Sequence, residues 1–195
     1  MHKTIRRISP FGRGARVRAD ARRNYERIVA TARAAFVADG IDVPLDDIAK
    51  RSGVGAGTLY RHFPSREALI EAVYREEITQ LADAAFRLRD ELAPGEALFR
   101  WMREQVRWIA DSLGMASALK AAIDSDSETF AYCKKTLREA VGALLEPAQA
   151  AGLVRADLEQ SDLLRLTHGV GAAAQYTDAA GLDRMMSVVI DGMRA

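Results

Sequence analysis

The chain contains little cysteine, histidine or proline, and it has no long apolar run. A single cysteine, Cys133, excludes an intrachain disulfide. The three histidines, His2, His62 and His168, show no His-x-x-x-His spacing, so we predict neither a metal site nor a cofactor. No segment reaches the roughly 20 apolar residues that cross a bilayer, and the basic N-terminus lacks the apolar core of a secretion signal. We therefore expect a cytoplasmic protein without a membrane partner.

The scarcity of proline also bears on the fold. Five prolines occur in 195 residues, whereas Ala, Leu, Arg and Glu, which favour helices, are abundant. No stretch alternates between apolar and polar residues for long, so we predict no strand. The composition therefore indicates an all-α fold.

Charge is unevenly distributed behind a net value of +1. Residues 1–66 contain 14 Lys or Arg against 6 Asp or Glu, and residues 67–195 contain 14 against 21. The first third of the chain is therefore suited to a polyanion such as nucleic acid, and the remainder would be repelled by it.

Residues 1–19 combine basic side chains with proline and glycine, which predicts a disordered arm. Two interpretations of this arm remain open. It is either a passive solvated terminus or a segment that follows DNA phosphates or enters a minor groove.

Residues 20–66 have the pattern of a three-helix DNA-binding domain. The first part keeps a helical apolar period, and Gly40 ends that helix. Two short helices follow at about 45–51 and 56–63, and Gly53 supplies the positive φ that the turn between them needs. This order predicts a helix-turn-helix whose second helix enters a DNA groove.

A long helix is predicted next. Ser65 is placed to cap it, and its apolar period continues nearly to Leu92. Further helical segments are predicted at 95–112, 115–124, 127–150, 160–178 and 182–194, with breaks at Gly114, Asp124–Asp126, Gly152 and Gly181. A helix that ends near Leu92 could link two lobes and carry motion between them.

Three sequence blocks make the prediction more specific: Asp47-Ile48-Ala49, Ser52-Gly53-Val54 and the run GTLYRHFPSREAL from Gly57 to Leu69. Over about residues 22–75 the chain resembles the TetR/AcrR family of transcriptional regulators. The resemblance implies that a long helix joins the DNA-binding domain to a C-terminal helical bundle, residues 67–195. In this family the bundle binds a small-molecule effector and forms a homodimer, and the partner is a double-stranded DNA operator.

The resemblance also implies a set of DNA-contacting residues. They are Gly55, Ala56, Gly57 and Thr58 at the start of the recognition helix, followed by Tyr60, Arg61, His62 and Arg66. Gly55, Ala56 and Gly57 have almost no side chain, so base discrimination would come partly from Arg61, the arm and DNA shape. Tyr60, His62 and Arg66 would contact phosphates. Where the family often has a hydroxyl before its second helix, this chain has Val43-Pro44, which suits a first helical turn.

Aromatic, Met and polar residues at helical spacing form a candidate effector pocket. They are Trp101, Met102, Gln105, Trp108, Phe130, Cys133, His168 and Gln175. The aromatic and Met side chains would form the wall, and Gln105, His168 or Gln175 would anchor polar groups. The same spacing is that of an ordinary helical core, and both interpretations remain open.

Small residues between Thr167 and Ala174 would allow close helix contact. They are accompanied by apolar residues at Leu163, Leu164, Leu166, Val170, Met185, Met186, Val189, Ile190 and Met193. The pattern favours a four-helix homodimer interface, with intrachain packing as the alternative.

Two other classes of protein fit the sequence less well. An enzyme lacks support because no motif places a pair of catalytic groups, and Gly53–Thr58 lacks the spacing of a nucleotide-binding loop. A helical protein whose basic arm binds RNA or a membrane would leave the 45–69 motif unexplained. We therefore predict a non-enzymatic TetR-like regulator. The mode of regulation that we favour is a repressor that a small-molecule effector releases from a palindromic operator.

Overall fold

The computed structural model describes residues 11–111 and 115–195. Over these ranges it contains α-helices, one 3₁₀ helix and no strand, which confirms the all-α prediction. The α-helices are α1 (Phe11–Asp39), α2 (Leu45–Arg51), α3 (Ala56–His62), α4 (Arg66–Glu91), α5 (Pro94–Asp111), α6 (Met115–Ala122), α7 (Glu128–Ala150), α8 (Gln160–Ala172) and α9 (Ala179–Met193). The 3₁₀ helix, Ala173–Tyr176, follows α8. No described helix is both long enough and apolar enough to cross a membrane.

The first helix begins earlier than the composition predicts. It starts at Phe11, so residues 11–19 are helical where a disordered arm was expected, and residues 1–10 of that arm lie outside the described residues. Glycine in a helix costs only about 1 kcal/mol relative to Ala, so Gly12 and Gly14 do not end a helix that continues into a packed segment.

The remaining boundaries of the DNA-binding domain follow the sequence pattern closely. Gly40 and Gly53 both adopt positive φ, at 84° and 65°, and end α1 and α2. The Ser65 side chain accepts a hydrogen bond from the Ala68 N–H at 3.2 Å, which confirms the predicted cap of α4. Local backbone chemistry was therefore enough to place these ends.

One apolar core joins the DNA-binding domain to two later helices. Its buried members include Ile28, Ala32 and Phe36 of α1, Ile48 of α2, Leu59 of α3, Leu69, Ile70 and Val73 of α4, and Met115 and Leu119 of α6. A second core fills the space between the latter part of α4 and helices α5, α7, α8 and α9. Helix α4 contributes to both cores and therefore connects them.

The small-residue stretch on α8 has an intrachain role at one position. A Cβ built at Gly171 would lie 2.7 Å from the Ile109 Cβ of α5. That distance is too short for a real contact, so a glycine is required for α8 to approach α5 this closely. Gly169, in contrast, has open space around it.

The predicted break at Gly181 is displaced. Gly181 lies in the first turn of α9, where its N–H donates to the Asp178 Oδ1 at 2.8 Å. An aspartate at the N-cap is a stronger start signal than an early glycine is a stop. The predicted segment 160–178 likewise ends as an α-helix at Ala172 and continues as a 3₁₀ turn.

Candidate functional site

The turn between α2 and α3 is held by short backbone and side-chain contacts. Ser52 is buried, and its hydroxyl donates to the Ala49 carbonyl at 3.0 Å. The Val54 N–H donates to the same carbonyl at 3.1 Å. These bonds and the positive φ of Gly53 fix the direction in which α3 leaves the turn.

The start of α3 is nearly bare. Gly55 caps it without a side-chain hydrogen bond, and Cβ atoms built at Gly55 or Gly57 would meet nothing within 4 Å. Ala56 is also exposed. A partner can therefore approach the backbone of this turn closely, although these residues offer few groups for reading bases.

The outward side chains of α3 are polar and aromatic, and its inward side chain, Leu59, is fully buried. The Tyr60 side chain is 45% exposed. The Arg61 guanidinium donates to the Gly57 carbonyl and to the Thr58 hydroxyl, each at 3.2 Å. Arg61 and Thr58 therefore present a joined polar surface next to the bare turn.

His62 and Arg66 contact other parts of the chain, which the sequence did not predict. His62 is half-buried, with its ring edge towards Tyr25 at 6.2 Å between ring centroids. The Arg66 Nη1 donates to the carbonyls of Ile41 at 2.7 Å and Val43 at 2.8 Å. Arg66 therefore anchors the loop between α1 and α2 to the start of α4, and a phosphate contact by it stays a prediction.

A cavity of about 510 Å³ lies between α4, α5, α7 and α8. Five of the predicted effector-site residues line it, namely Gln105, Trp108, Phe130, Cys133 and His168. Its other lining residues are Tyr74, Ile78, Leu81, Ile109, Lys134, Leu137, Arg138, Ser161, Leu164 and Arg165. Its volume is in the range of cavities that bind drug-sized molecules.

Three predicted pocket residues lie elsewhere. Trp101 and Met102 are buried in the second apolar core, and the Trp101 indole N–H donates to the Leu81 carbonyl at 3.0 Å. Gln175 is exposed on the 3₁₀ turn, and its Nε2 donates to the Ala172 carbonyl at 3.3 Å. For Trp101 and Met102, the interpretation as ordinary core is the one that the structure supports.

The cavity also has residues that the sequence reasoning missed. Ser161, Arg165 and His168 all lie on one face of α8, and Tyr74 and Ile78 lie on one face of α4. Their i, i+4 and i, i+7 spacings were visible in the sequence. That periodicity alone could not show that the two faces meet.

The electrostatic character of the cavity is cationic. Lys134, Arg138 and Arg165 line it together with His168, and among the described residues no carboxylate does so. Burial raises the pKa of the Cys133 thiol, an effect that Arg75 opposes. Burial also raises the pKa of the Tyr74 hydroxyl, so both groups stay neutral near pH 7.

Two family models match the chain. One, described as "Bacterial regulatory proteins, tetR family", matches residues 28–73, and the other, "Transcriptional regulator SbtR-like, C-terminal domain", matches residues 93–195. The second match alone spans more than half of the chain. The chain belongs to the TetR family. It is a DNA-binding transcriptional regulator with a helix-turn-helix.

Solved structures agree with this assignment. A TetR transcriptional regulator from Streptomyces coelicolor is 38% identical, with a TM-score of 0.71, and the match covers 87% of this chain and 98% of that one. A TetR regulatory protein from Mycobacterium vanbaalenii is 37% identical, with a TM-score of 0.73, over 92% and 99% of the two chains. Both likenesses extend through the DNA-binding domain and the bundle.

Curated relatives match over a shorter region. An HTH-type transcriptional regulator of Staphylococcus aureus is 40% identical over 67 residues. The match covers 33% of this chain and 35% of the relative, so the chain spans about a third of the length of that protein.

In this TetR-family regulator a buried ion pair joins the DNA-binding domain to α4. Arg33 of α1 donates to the Glu77 Oε1 of α4, and the Glu77 side chain is 1% exposed. The other carboxylate oxygen, Oε2, is buried without a hydrogen-bond partner. A buried carboxylate with one free oxygen makes this junction sensitive to small displacements.

Proposed function

We propose that this TetR-family regulator is a homodimeric repressor that a small-molecule effector releases from a palindromic operator. The recognition surface would be the bare start of α3, together with Thr58, Tyr60 and Arg61. Because this surface has few base-reading groups, DNA shape and the backbone contacts would supply much of the specificity.

The observation that carries the proposal is the double role of α4. Leu69 and Val73 pack in the DNA-binding core, and Tyr74 and Ile78, directly along the same helix, line the cavity. A ligand that displaces Tyr74 or Ile78 would tilt a continuous helix whose first turns hold the DNA-binding domain. The half-sites of a dimer's operator are about one helical turn apart, so a small tilt would weaken binding.

Helix α6 provides a second connection between the cavity and the DNA-binding domain. It follows α5, which carries the cavity residues Gln105 and Trp108. Its buried side chains Met115 and Leu119 pack in the DNA-binding core. Movement of α5 around a ligand would therefore reach the recognition surface by two routes.

An exposed apolar face on α8 and α9 supports dimerisation. Val188 is 72% exposed, and Leu166 and Met185 are also exposed for apolar residues. Cβ atoms built at Gly169 and Gly192 would meet nothing within 4 Å, so a second helix could approach closely there. We propose that this face meets its copy around a two-fold axis.

Several residues predicted for the interface are instead buried within the chain. They are Leu163, Val170, Met186, Ile190 and Met193, which belong to the second apolar core. Each of these helices packs inward on one face and is exposed on the other, and periodicity could not say which face meets a partner.

Substitution of Val188 by Glu tests the dimer. We expect Val188→Glu to shift the protein to monomer in sedimentation velocity, because a carboxylate would be buried without a partner. The matched control is Leu153→Glu, since Leu153 is an exposed apolar residue outside α8 and α9. Retention of the dimer by Val188→Glu, or its loss in Leu153→Glu as well, would exclude this face.

Selection of duplexes from a random DNA pool tests the operator. We expect a two-fold symmetric sequence whose affinity falls steeply as the salt concentration rises. Enrichment of an asymmetric sequence would contradict a palindromic operator. Equal affinity for duplex and single strand would favour a general nucleic-acid binder over an operator-binding repressor.

The proposed regulator binds its effector and does not transform it. It would act in the cytoplasm, where the DNA of a bacterium lies. Release of the selected duplex by a ligand that binds in the cavity would support a repressor with an inducer, and tighter DNA binding would support co-repression.

A further inference from the structure

The charge of the cavity is opposite to that of the region that surrounds it. Residues 67–195 contain 21 Asp or Glu against 14 Lys or Arg, yet the charged residues that line the cavity are Lys134, Arg138 and Arg165. If side chains were distributed without regard to function, carboxylates would be expected on such a wall. Their absence among the described lining residues favours a ligand with negative charge.

These cations are largely free of intramolecular partners. Within the described part of the chain neither Lys134 nor Arg138 forms an ion pair, and Arg165 has only a long one, at 3.5 Å from the Asp162 Oδ1. The Arg165 Nη1 also lies 3.3 Å from the Ser161 hydroxyl, which lines the cavity as well. The donors of these groups therefore remain available to an acid.

Most of the rest of the wall is apolar, and one buried polar atom on it is left unsatisfied. The aromatic side chains of Tyr74, Trp108 and Phe130 and several aliphatic side chains form most of it. Gln105, which is 5% exposed, lines the cavity and has a buried Oε1 without a hydrogen-bond partner. An unpaired buried acceptor is costly, and a hydroxyl or N–H elsewhere on a bound ligand would satisfy it, since an ionised acidic group has no proton to donate.

We propose that the effector is an amphiphilic organic acid. Its carboxylate or other acidic group would lie against Arg138, Arg165 and Lys134, and its apolar body would lie against the aromatic and aliphatic wall. This inference rests on the proposed function, since it names the chemical class of the effector for the same cavity.

Calorimetric titration of the free protein, without DNA, tests the class of ligand. The probes are decanoate, decan-1-ol and decylammonium, which share one alkyl chain and differ in the charge of the head. Near neutral pH decanoate is ionised. We expect decanoate to bind about ten-fold more tightly than decan-1-ol, and decylammonium to bind more weakly than either, because the cavity repels cations.

Single variants assign the preference to the cations. Arg138→Gln and Arg165→Gln should each weaken decanoate binding several-fold and leave decan-1-ol binding unchanged, and the unchanged alcohol also shows that the cavity is still folded. The matched control is Lys135→Gln, on the same helix as Arg138 and with the same change of charge. Lys135 does not line the cavity and pairs with Glu139 at 3.8 Å.

Two results would overturn the proposal: decanoate binding no tighter than decan-1-ol, or equal loss of both probes in the arginine variants. Neither result concerns DNA, so the two proposals can fail separately. If a neutral compound releases the selected duplex while decanoate shows no preference, the acid is excluded and the repressor stands. If decanoate binds as expected but leaves DNA binding unchanged, the ligand class stands and release by effector fails.

Discussion

The DNA-binding domain and the bundle differ in how completely their buried polar groups are hydrogen-bonded. In the first, Ile28, Ile48 and Leu59 are fully buried and the buried Ser52 hydroxyl has a partner, and a space of about 500 Å³ lies at the edge of this core, between α1 and α4. In the second, the wall of the cavity of about 510 Å³ includes Gln105, whose buried Oε1 has no partner; the other described buried side-chain atom without a partner, Glu77 Oε2, lies at the junction of the two regions.

This difference separates a region that needs one conformation from a region that needs two. A recognition helix must be held rigidly against its neighbours to read DNA. A cavity that is empty in one state and filled in another keeps polar groups unsatisfied until a ligand arrives. The incomplete packing around α4 and α5 is therefore the expected property of a sensor.

Truncation of leucine in each region should show the largest contrast. Leu59→Ala should lower the free energy of unfolding by about 3–4 kcal/mol, because Leu59 is fully buried in the DNA-binding core and the surrounding side chains cannot fill the space. Leu164→Ala on the half-buried cavity wall should cost about 1 kcal/mol. Urea denaturation measures both, and equal losses would contradict the difference in packing.

The Arg33–Glu77 ion pair at the junction should give the next effect. Arg33→Ala would leave a buried carboxylate unpaired and should lower the free energy of unfolding by about 3 kcal/mol, near the lower end for buried pairs because Arg33 is 39% exposed. Glu77→Gln should cost less, since a neutral amide is easier to bury.

The control for the junction is the exposed Arg22–Glu26 pair. Arg22→Ala should produce no measurable change in thermal unfolding, because surface pairs contribute little. If Arg33→Ala also left thermal unfolding unchanged, the stability of the junction would not depend on this ion pair.

Arg66 provides a smaller effect that separates two roles. Arg66→Ala should lower the free energy of unfolding by about 1–2 kcal/mol, because two carbonyls of the α1–α2 loop lose their donor. Arg61→Ala, on the exposed face of α3, should weaken DNA binding without altering stability. If Arg66→Ala changed only DNA affinity, the phosphate contact that the sequence predicts would be its main role.

The sequence predicted the DNA-binding domain better than the bundle for a physical reason. The limits of α2 and the positive φ of Gly53 depend on contacts within a few residues, which a local motif contains. Trp101 and Trp108 lie on one helix with similar periodicity, yet one is core and the other lines the cavity. That outcome depends on which helices lie opposite, and the sequence of α5 alone does not contain this information.

The same argument applies to α8. Leu163, His168 and Gly169 were all visible as part of one periodic, small-residue segment. In the fold the first is buried core, the second lines the cavity and the third faces open space. When one helix contributes residues to a core, a cavity and an exposed face, helical periodicity alone cannot show which residue belongs to which.

The smallest predicted effect is a gain in stability. Gln105→Met keeps a similar volume and removes the unpaired buried acceptor, so it should raise the free energy of unfolding by about 1 kcal/mol. The Leu59 and Arg66 substitutions should destabilise the protein because they remove contacts that are complete. The Gln105 substitution should stabilise it because it removes a buried acceptor that has no partner. We expect a higher urea midpoint together with a weaker response of DNA binding to cavity ligands. A loss of stability would mean that the Gln105 amide supports the folded state directly, and it would contradict the contrast between the two regions.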